Sequence, residues 1–152
     1  MDMKSHSTLK RTALKRGTKQ MKRTTLRKVS KQPTSRMKRK LWALFSEYIR
    51  KRDKGICFTC GRKAEGSGYH AGHFISKAVG GVVLYFHPEN CRGQCYNCNI
   101  NLGGNQWEYG QKLGAEKVKE LYALKNTPPQ KWDQARYEYE INWYKQLLNE
   151  LK

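Results

Sequence analysis

The chain has 152 residues, which is room for one domain of ordinary size and a tail. Lys and Arg number 31 against 12 Asp and Glu, giving a net charge of +19, and no apolar run is long enough to cross a membrane. No apolar segment follows the basic start as it would in a secretory signal, so we expect a cytoplasmic protein. Hydrophobic residues make up 38% of the chain, which is enough to build a core.

The positive charge is concentrated at the N-terminus, where residues 1–40 carry +14 and the other 112 residues carry +5. This segment offers too few aliphatic residues to offset an ordering cost of about 1–2 kcal/mol per residue. Residues 1–36 are therefore predicted to be a disordered basic arm that contacts nucleic-acid phosphates. A solubilising tail is the alternative. The predicted nucleic-acid-binding side chains are Lys10, Arg11, Lys15, Arg16, Lys22, Arg23, Arg27, Lys28, Lys38, Arg39 and Lys40.

Beyond the arm, apolar residues at three- and four-residue spacing predict a helix over 37–53, which Gly55 ends. Residues 56–100 hold nearly all the Cys and His. Glycines there separate short apolar runs such as 82–86, a pattern typical of short strands and loops.

The helical period then returns in the C-terminal third of the chain. It predicts helices over 107–113, 115–124 and 131–151, the last after a Pro-Pro pair. The Trp and Tyr residues of these helices fall at helical spacing, which favours core packing over base stacking.

Four of the five cysteines form two Cys-x-x-Cys pairs, Cys57 with Cys60 and Cys95 with Cys98. A tight turn aims both sulfurs of such a pair at one tetrahedral metal, so the two pairs predict a structural Zn²⁺. A redox pair would explain one motif but not two in a cytoplasmic chain. Cys91 is left over and is predicted to be a small buried residue.

Histidine and asparagine residues accompany the two cysteine pairs in a particular order. His70 and His73 lie between the pairs, Asn90 precedes the second pair, and Asn99 directly follows it. This order resembles that of an HNH (ββα-metal) nuclease stapled by zinc, with Asn in place of the last His. The stretches CFTCG, HAGHF, PENCRGQCYNCNINLGGN and LGAEKVKEL resemble the phage lambda NinG (Rap) family of recombination endonucleases, and the likeness spans roughly residues 41–150.

The resemblance implies an α+β fold, with a small zinc-stapled ββα-metal core flanked by helices within a nuclease domain over 37–152. It implies that His73 is the general base that activates water, and that Asn90 holds the loop and orients His73 through its side-chain amide. A neutral imidazole, whose ordinary pKa is about 6.5, can take up a proton at pH 7.

The resemblance also implies a catalytic Mg²⁺ or Mn²⁺ bound by Asn99. Most HNH nucleases carry a second ligand directly before the base, where this chain has Gly72. His70 is therefore the second candidate ligand, while Asn101, which replaces a His of the relative, is a weaker one. His is a softer ligand than Asp and suits Mn²⁺ better than Mg²⁺.

The implied function is a metal-dependent DNA endonuclease that acts on branched recombination intermediates, such as Holliday junctions and D-loops, inside a phage-infected bacterial cell. A homodimer joined through the C-terminal helices would suit symmetric cleavage of a junction. The alternative is a non-catalytic zinc-knuckle protein that binds nucleic acid, which needs the four thiolates and the basic surface but not His73, Asn90 and Asn99 together. A ribosome-associated zinc protein would explain the arm but not the tyrosine-rich helices.

Overall fold

The three-dimensional structure is a computed structural model that describes residues 33–151. The predictions made for residues 1–32, including the arm side chains from Lys10 to Lys28, lie outside the described residues. No helix in the described part of the chain is long and apolar enough to span a membrane. The helices are α1 (Pro33–Arg52), α2 (Gly81–Tyr85), α3 (Gln106–Leu113), α4 (Ala115–Lys125) and α5 (Gln134–Glu150), and the strands are β1 (Tyr69–His73) and β2 (Cys91–Cys95).

Helix α1 begins at Pro33, four residues before its predicted start, so residues 33–36 of the predicted arm are helical. Proline is favoured in a first helical turn because the N–H that it lacks has no partner there. The inner face of α1 presents Leu41, Phe45 and Ile49, all fully buried. Their spacing of four residues is the one from which the helix was predicted.

Helix α5 packs along α1, and these two helices, which we call the helical frame, share the largest interface between elements. The helix begins after Asp133, whose carboxylate caps it by accepting the Arg136 N–H at 2.8 Å. This cap explains why α5 starts three residues later than predicted. The Phe45 ring meets the Tyr144 ring edge-on at a centroid distance of 5.2 Å.

The prediction that the C-terminal Trp and Tyr residues pack in the core is confirmed for some of them and wrong for others. Tyr109, Tyr137 and Tyr144 are buried. Trp107 and Tyr139 are 75% and 60% exposed. The helical spacing was right, but a helix on a small domain has an outer face, and these two side chains lie on it.

Strands β1 and β2 form an antiparallel pair with Tyr69 opposite Cys95 and His73 opposite Cys91. The apolar run 82–86, predicted among the short strands and loops, lies mostly in the short helix α2. A run of five apolar residues fits a strand or a buried helical turn equally well. Tertiary contacts decide for the helix, because the Leu84 side chain is buried and the Asn90 amide donates to the Leu84 carbonyl at 2.9 Å.

Helices α3 and α4 lie within one residue of their predicted bounds. With the segment after β1 they form a second hydrophobic cluster, separate from the core of the frame. Its buried members are Phe74, Ile75, Leu84, Tyr109 and Leu121.

The end of α1 connects the frame to the strand pair through charged hydrogen bonds. The Arg52 guanidinium donates to the backbone carbonyls of Pro88 at 3.0 Å and Cys91 at 2.9 Å. The Asp53 carboxylate pairs with Arg52 and accepts the Gly93 N–H at 2.6 Å. Hydrogen bonds to charged groups are worth about 1.5–3 kcal/mol each, so this junction orients the strands on the frame.

Candidate functional site

The four cysteines of the two Cys-x-x-Cys pairs lie together, as predicted. Their sulfur atoms all lie within 4.8 Å of one another, and Cys60 Sγ is 3.8 Å from Cys95 Sγ. Sulfurs at about 2.3 Å from a tetrahedral zinc are about 3.8 Å apart, so the donor set and its spacing fit the ion. Cys57, Cys60, Cys95 and Cys98 can therefore bind a structural metal such as zinc.

The electrostatics of this cluster favour a cation. Burial raises the pKa of the Cys57 thiol, but hydrogen bonds from the backbone at Cys60 and from Thr59 outweigh burial and lower it to about 6. Burial and the neighbouring sulfurs raise the pKa of Cys98 to about 12. Four adjacent thiolates repel one another, and a divalent cation would let all four deprotonate.

A buried polar chain leads from the thiolates to strand β2. The Thr59 hydroxyl lies 3.3 Å from Cys57 Sγ and accepts from Gln94 Nε2 at 3.2 Å. Gln94 Nε2 also donates to the Gly104 carbonyl at 2.7 Å, which fixes the orientation of the amide. Gln94 is fully buried, and its Oε1 has no hydrogen-bond partner among the described residues.

The unpaired Gln94 oxygen lies against Gly72, the position that lacks the ligand expected of an HNH nuclease. A Cβ on Gly72 would overlap Gln94 Oε1 and lie 2.8 Å from Asn99 Oδ1. Any side chain at this position would displace both oxygens. Glycine is therefore needed because two amide oxygens fill the space that a side chain would take.

His70 and Asn99, the two predicted ligands of the catalytic ion, are in direct contact. Asn99 Nδ2 donates to His70 Nδ1 at 3.1 Å. His70 Nε2 lies 2.9 Å from the Ser67 carbonyl, which can only accept, so the imidazole carries its proton on Nε2 and its lone pair on Nδ1. A metal-binding His has this same arrangement, with the second nitrogen donating to a carbonyl.

His73 lies at the end of β1 and is held by the frame and by α2. Its Nε2 donates to the Tyr85 carbonyl at 2.9 Å, and its ring stacks on Trp42 at a centroid distance of 5.5 Å. Burial lowers the pKa of His73 below its ordinary value. The hydrogen bond to the Tyr85 carbonyl opposes this shift without cancelling it, and the positive charge of Lys77 adds to it. The ring is therefore neutral at pH 7, with its lone pair on Nδ1.

An open cavity of about 270 Å³ brings the predicted base and one predicted metal ligand together. His73, Lys77 and Asn99 line it, with the backbone of Gly103 and Gly104. The residues that line it do not include His70, which reaches the cavity only through its contact with Asn99.

Asn90 holds the loop but does not orient His73 through its side chain. The Asn90 oxygen accepts the Ile75 N–H at 2.8 Å, and its amide donates to the carbonyls of Ile75 and Leu84. Both amide protons are thus used on the backbone, and the orientation predicted for this amide is wrong. The Tyr85 carbonyl orients His73 instead.

Two further predictions concern single residues. Cys91 is fully buried in the core of the frame, and burial raises its pKa, so the prediction of a small packed residue is confirmed. Asn101, the weaker metal candidate, is exposed and donates to Asn97 Oδ1 at 3.1 Å.

The three predicted phosphate-binding residues of α1 separate onto two sides of the helix. Lys38 and Arg39 line a cavity with Trp42 and Tyr85. Lys40 instead lines a groove between α1 and α5. Positions 38 and 40 are about 200° apart around a helix, so the sequence run could not act as one patch.

Sequence reasoning missed Gln94, Lys77 and Trp42. Gln94 lies on a short strand between a glycine and a cysteine. An alternating pattern over so few residues does not show that a polar side chain is buried. The Trp42 contact with His73 joins residues that are distant in the chain, and no local pattern contains it.

A comparison with family models shows where this chain belongs. The model of the bacteriophage lambda NinG protein matches residues 1–152. The chain belongs to that family. The family is a phage family associated with recombination, and the match includes the basic N-terminal residues, which the sequence resemblance left out. No curated protein and no solved structure matches the chain.

Proposed function

We propose that this protein is a metal-dependent DNA endonuclease that hydrolyses phosphodiester bonds in branched recombination intermediates. The observation that carries the proposal is the cavity shared by His73, Lys77 and Asn99. It combines a neutral imidazole, a cation and an amide oxygen donor, which are the groups that phosphodiester hydrolysis needs.

The residues around Gly72 fit a hard divalent cation. Gln94 Oε1 is buried and accepts no hydrogen bond from the part of the chain that the structure describes, and it shares the space above Gly72 with Asn99 Oδ1. Amide oxygens suit Mg²⁺ and Mn²⁺, and the imidazole of His70 suits Mn²⁺ better than Mg²⁺. We assign Asn99 Oδ1 and His70 Nδ1 as the first ligands, His70 after it releases its hydrogen bond from the Asn99 amide, and Gln94 Oε1 as a second oxygen donor near them.

Side chains and backbone groups of the chain itself would attract the phosphate, orient the base and accept the proton. The Lys77 ammonium attracts the phosphate to the cavity, while the Tyr85 carbonyl holds the His73 ring in one tautomer. His73 Nδ1, which lies 4.0 Å from the Cys91 sulfur, would turn from that thiol to take the proton from the attacking water. When bound, the divalent ion polarises the phosphoryl oxygens and stabilises the departing O3′.

The test is a cleavage assay on linear duplex, single strand and four-way junction, with Mg²⁺, with Mn²⁺ and without either. We expect His73→Ala to lower the cleavage rate about 10²–10⁴-fold, the usual contribution of a general base. His87→Ala is the matched control, since His87 is another partly buried His with a lowered pKa but does not line the cavity.

Comparing Asn99→Ala with His73→Ala distinguishes the role of a metal ligand from that of the general base. Loss of a metal ligand should be partly rescued by more Mn²⁺, whereas loss of the base in His73→Ala should not. If His73→Ala cut the junction at the wild-type rate, the nuclease assignment of this cavity would be wrong. The non-catalytic zinc-knuckle protein would then be the better account.

The homodimer stays a prediction. Two large apolar side chains, Tyr139 and Trp143, are exposed four residues apart on the outer face of α5. An apolar stripe of this kind suits a helix–helix contact between two copies, and sedimentation of the junction-bound protein would measure it.

A further inference from the structure

A second cavity, lined by aromatic and basic side chains, adjoins the proposed catalytic cavity. It has a volume of about 430 Å³ and is lined by Ser35, Lys38, Arg39, Trp42 and Tyr85. Clefts that bind small organic groups have volumes of about 300–1,000 Å³. The sequence predicted only phosphate contacts for Lys38 and Arg39, and no role in binding for the two aromatic rings.

The aromatic rings and the cations of this cavity are in contact. Trp42 and Tyr85 have ring centroids 5.1 Å apart, and the Lys38 ammonium lies 4.7 Å from the centroid of Tyr85. The Lys77 ammonium lies 5.2 Å from the ring centroid of Trp42. The Lys38 and Lys77 ammoniums lie over the faces of these rings, so a base that stacks there takes the place of a lysine side chain, which can then reach the phosphates on either side of that base.

Two residues join this cavity to the catalytic one. Lys77 lines the catalytic cavity and also contacts both rings of the aromatic cavity. His73, the proposed base, stacks on Trp42. A strand whose phosphate lies at His73 would therefore place a neighbouring nucleotide beside Trp42.

We propose that the cavity of Lys38, Arg39, Trp42 and Tyr85 binds an unpaired nucleobase next to the phosphate that is cut. This inference rests on the proposed function and names the feature of a branched substrate that the enzyme recognises. A base inside a duplex is stacked on both faces and cannot enter, whereas a base at a branch point or flap can. Charge complementarity selects a nucleic acid as the occupant, because three cations and no carboxylate among residues 33–151 contact or line the cavity.

The test uses the full chain with its zinc in place and Ca²⁺ instead of Mg²⁺, so that binding is measured apart from cleavage. A junction with an unpaired 5-iodouracil at the branch point is irradiated, and the cross-linked peptide is identified. We expect the cross-link on Trp42 or Tyr85, and much less of it when the same base is paired. A cross-link confined to other aromatic residues, or equal for paired and unpaired bases, would overturn the proposal.

Variants give an independent measurement of the same site. Trp42→Ala should lower the preference for unpaired over paired 2-aminopurine DNA about 5- to 100-fold, the effect of removing one base–aromatic stack. Trp42→Tyr should restore most of it, which separates stacking from a folding defect. Lys145→Gln, a charge change on α5 in the groove on the other side of α1, should leave the preference unchanged.

Cleavage with Mg²⁺ or Mn²⁺ separates failure of this inference from failure of the proposed function. Junction cleavage without the Trp42 or Tyr85 cross-link would contradict the base pocket alone. The cross-link without cleavage under any condition would contradict the nuclease and leave an unpaired-base binding site. A dimer that forms without DNA and is lost in Trp42→Ala would show that a second copy occupies the cavity, and would overturn the proposal.

Discussion

The helical frame and the cysteine-rich segment over 56–105, which we call the knuckle module, are stabilised in different ways. The frame buries large apolar side chains, such as Phe45, Ile141 and Tyr144, between two long helices. In the module, strands of five residues carry Gly72 and Gly93, and the buried side chains include the polar Thr59, Asn90 and Gln94. The module also buries Phe74, Ile75 and Leu84, but it relies more on polar contacts than the frame does.

This difference suggests a role for the metal that the four cysteines can bind, next to the place where the proposed chemistry lies. The site around Gly72 holds the Gln94 and Asn99 amide oxygens where a side chain would otherwise pack. This arrangement makes the site less stable than an apolar core of the same size. A zinc bound by four thiolates contributes an apparent 10–16 kcal/mol, roughly the whole net stability of a small domain. The module can therefore tolerate an open, polar site.

The largest expected effect is the loss of zinc. We predict about one zinc per chain in protein purified without chelator. Chelation, or Cys98→Ser, should remove hydrogen-exchange protection from the amides of β1 and β2 while α1 and α5 keep theirs. Cys91→Ala is the control, because this cysteine lies in β2 with its side chain packed into the apolar core of the frame, and it is not one of the four.

Two outcomes would contradict this account of the module. Zinc-free protein with protected strands would show that the thiolates do not stabilise the module. Simultaneous loss of protection in α5 would show that the frame and the module unfold as one cooperative unit, joined through Arg52 and Asp53.

The next effect concerns the frame. Phe45→Ala should lower the free energy of unfolding by about 3–5 kcal/mol, because it leaves a cavity between Tyr144 and Phe86. Zinc content should stay at one per chain where the variant is folded. Tyr139→Ala, on the exposed side of α5, should change stability little. Urea unfolding followed by circular dichroism measures the stability of both variants. Loss of zinc from the folded Phe45→Ala variant would show that the frame and the module are not stabilised independently.

Sequence reasoning predicted the frame and the thiolate cluster well, since both depend on local spacing. Helical periodicity marked Leu41, Phe45 and Ile49, and two Cys-x-x-Cys pairs marked the metal site. The rest depends on contacts between distant residues. Nothing near Gln94 in the chain reveals that its amide bonds to Gly104 and its oxygen lies at Gly72. The predicted partner of His73 was wrong for the same reason, because the resemblance supplied an amide at position 90 and the fold uses the Tyr85 carbonyl.

The smallest effect lies where the frame meets the module, in the titration of His73. An imidazole that the fold does not perturb would give an inflection near its ordinary pKa of about 6.5. Burial, which includes the contact with Trp42, disfavours the imidazolium most, and the charge of Lys77 also disfavours it. The Tyr85 carbonyl favours the imidazolium but does not outweigh burial, and the neutral thiol of Cys91, with Nδ1 4.0 Å from its sulfur, offers no charge to stabilise it.

We therefore predict an inflection below 6.5, in the NMR titration of His73 and in the cleavage rate, which should rise with pH through that point and then level off. Lys77→Gln should raise the pKa of His73, because it removes the positive charge. The inflection should stay below 6.5, because burial is the larger cause and the frame still covers the ring. Lys119→Gln, an exposed change on α4, is the control, and high salt should reduce only the part due to Lys77. An inflection at or above 6.5 in the wild type would mean that the frame does not shield this ring, and that frame and module are independent at the site itself.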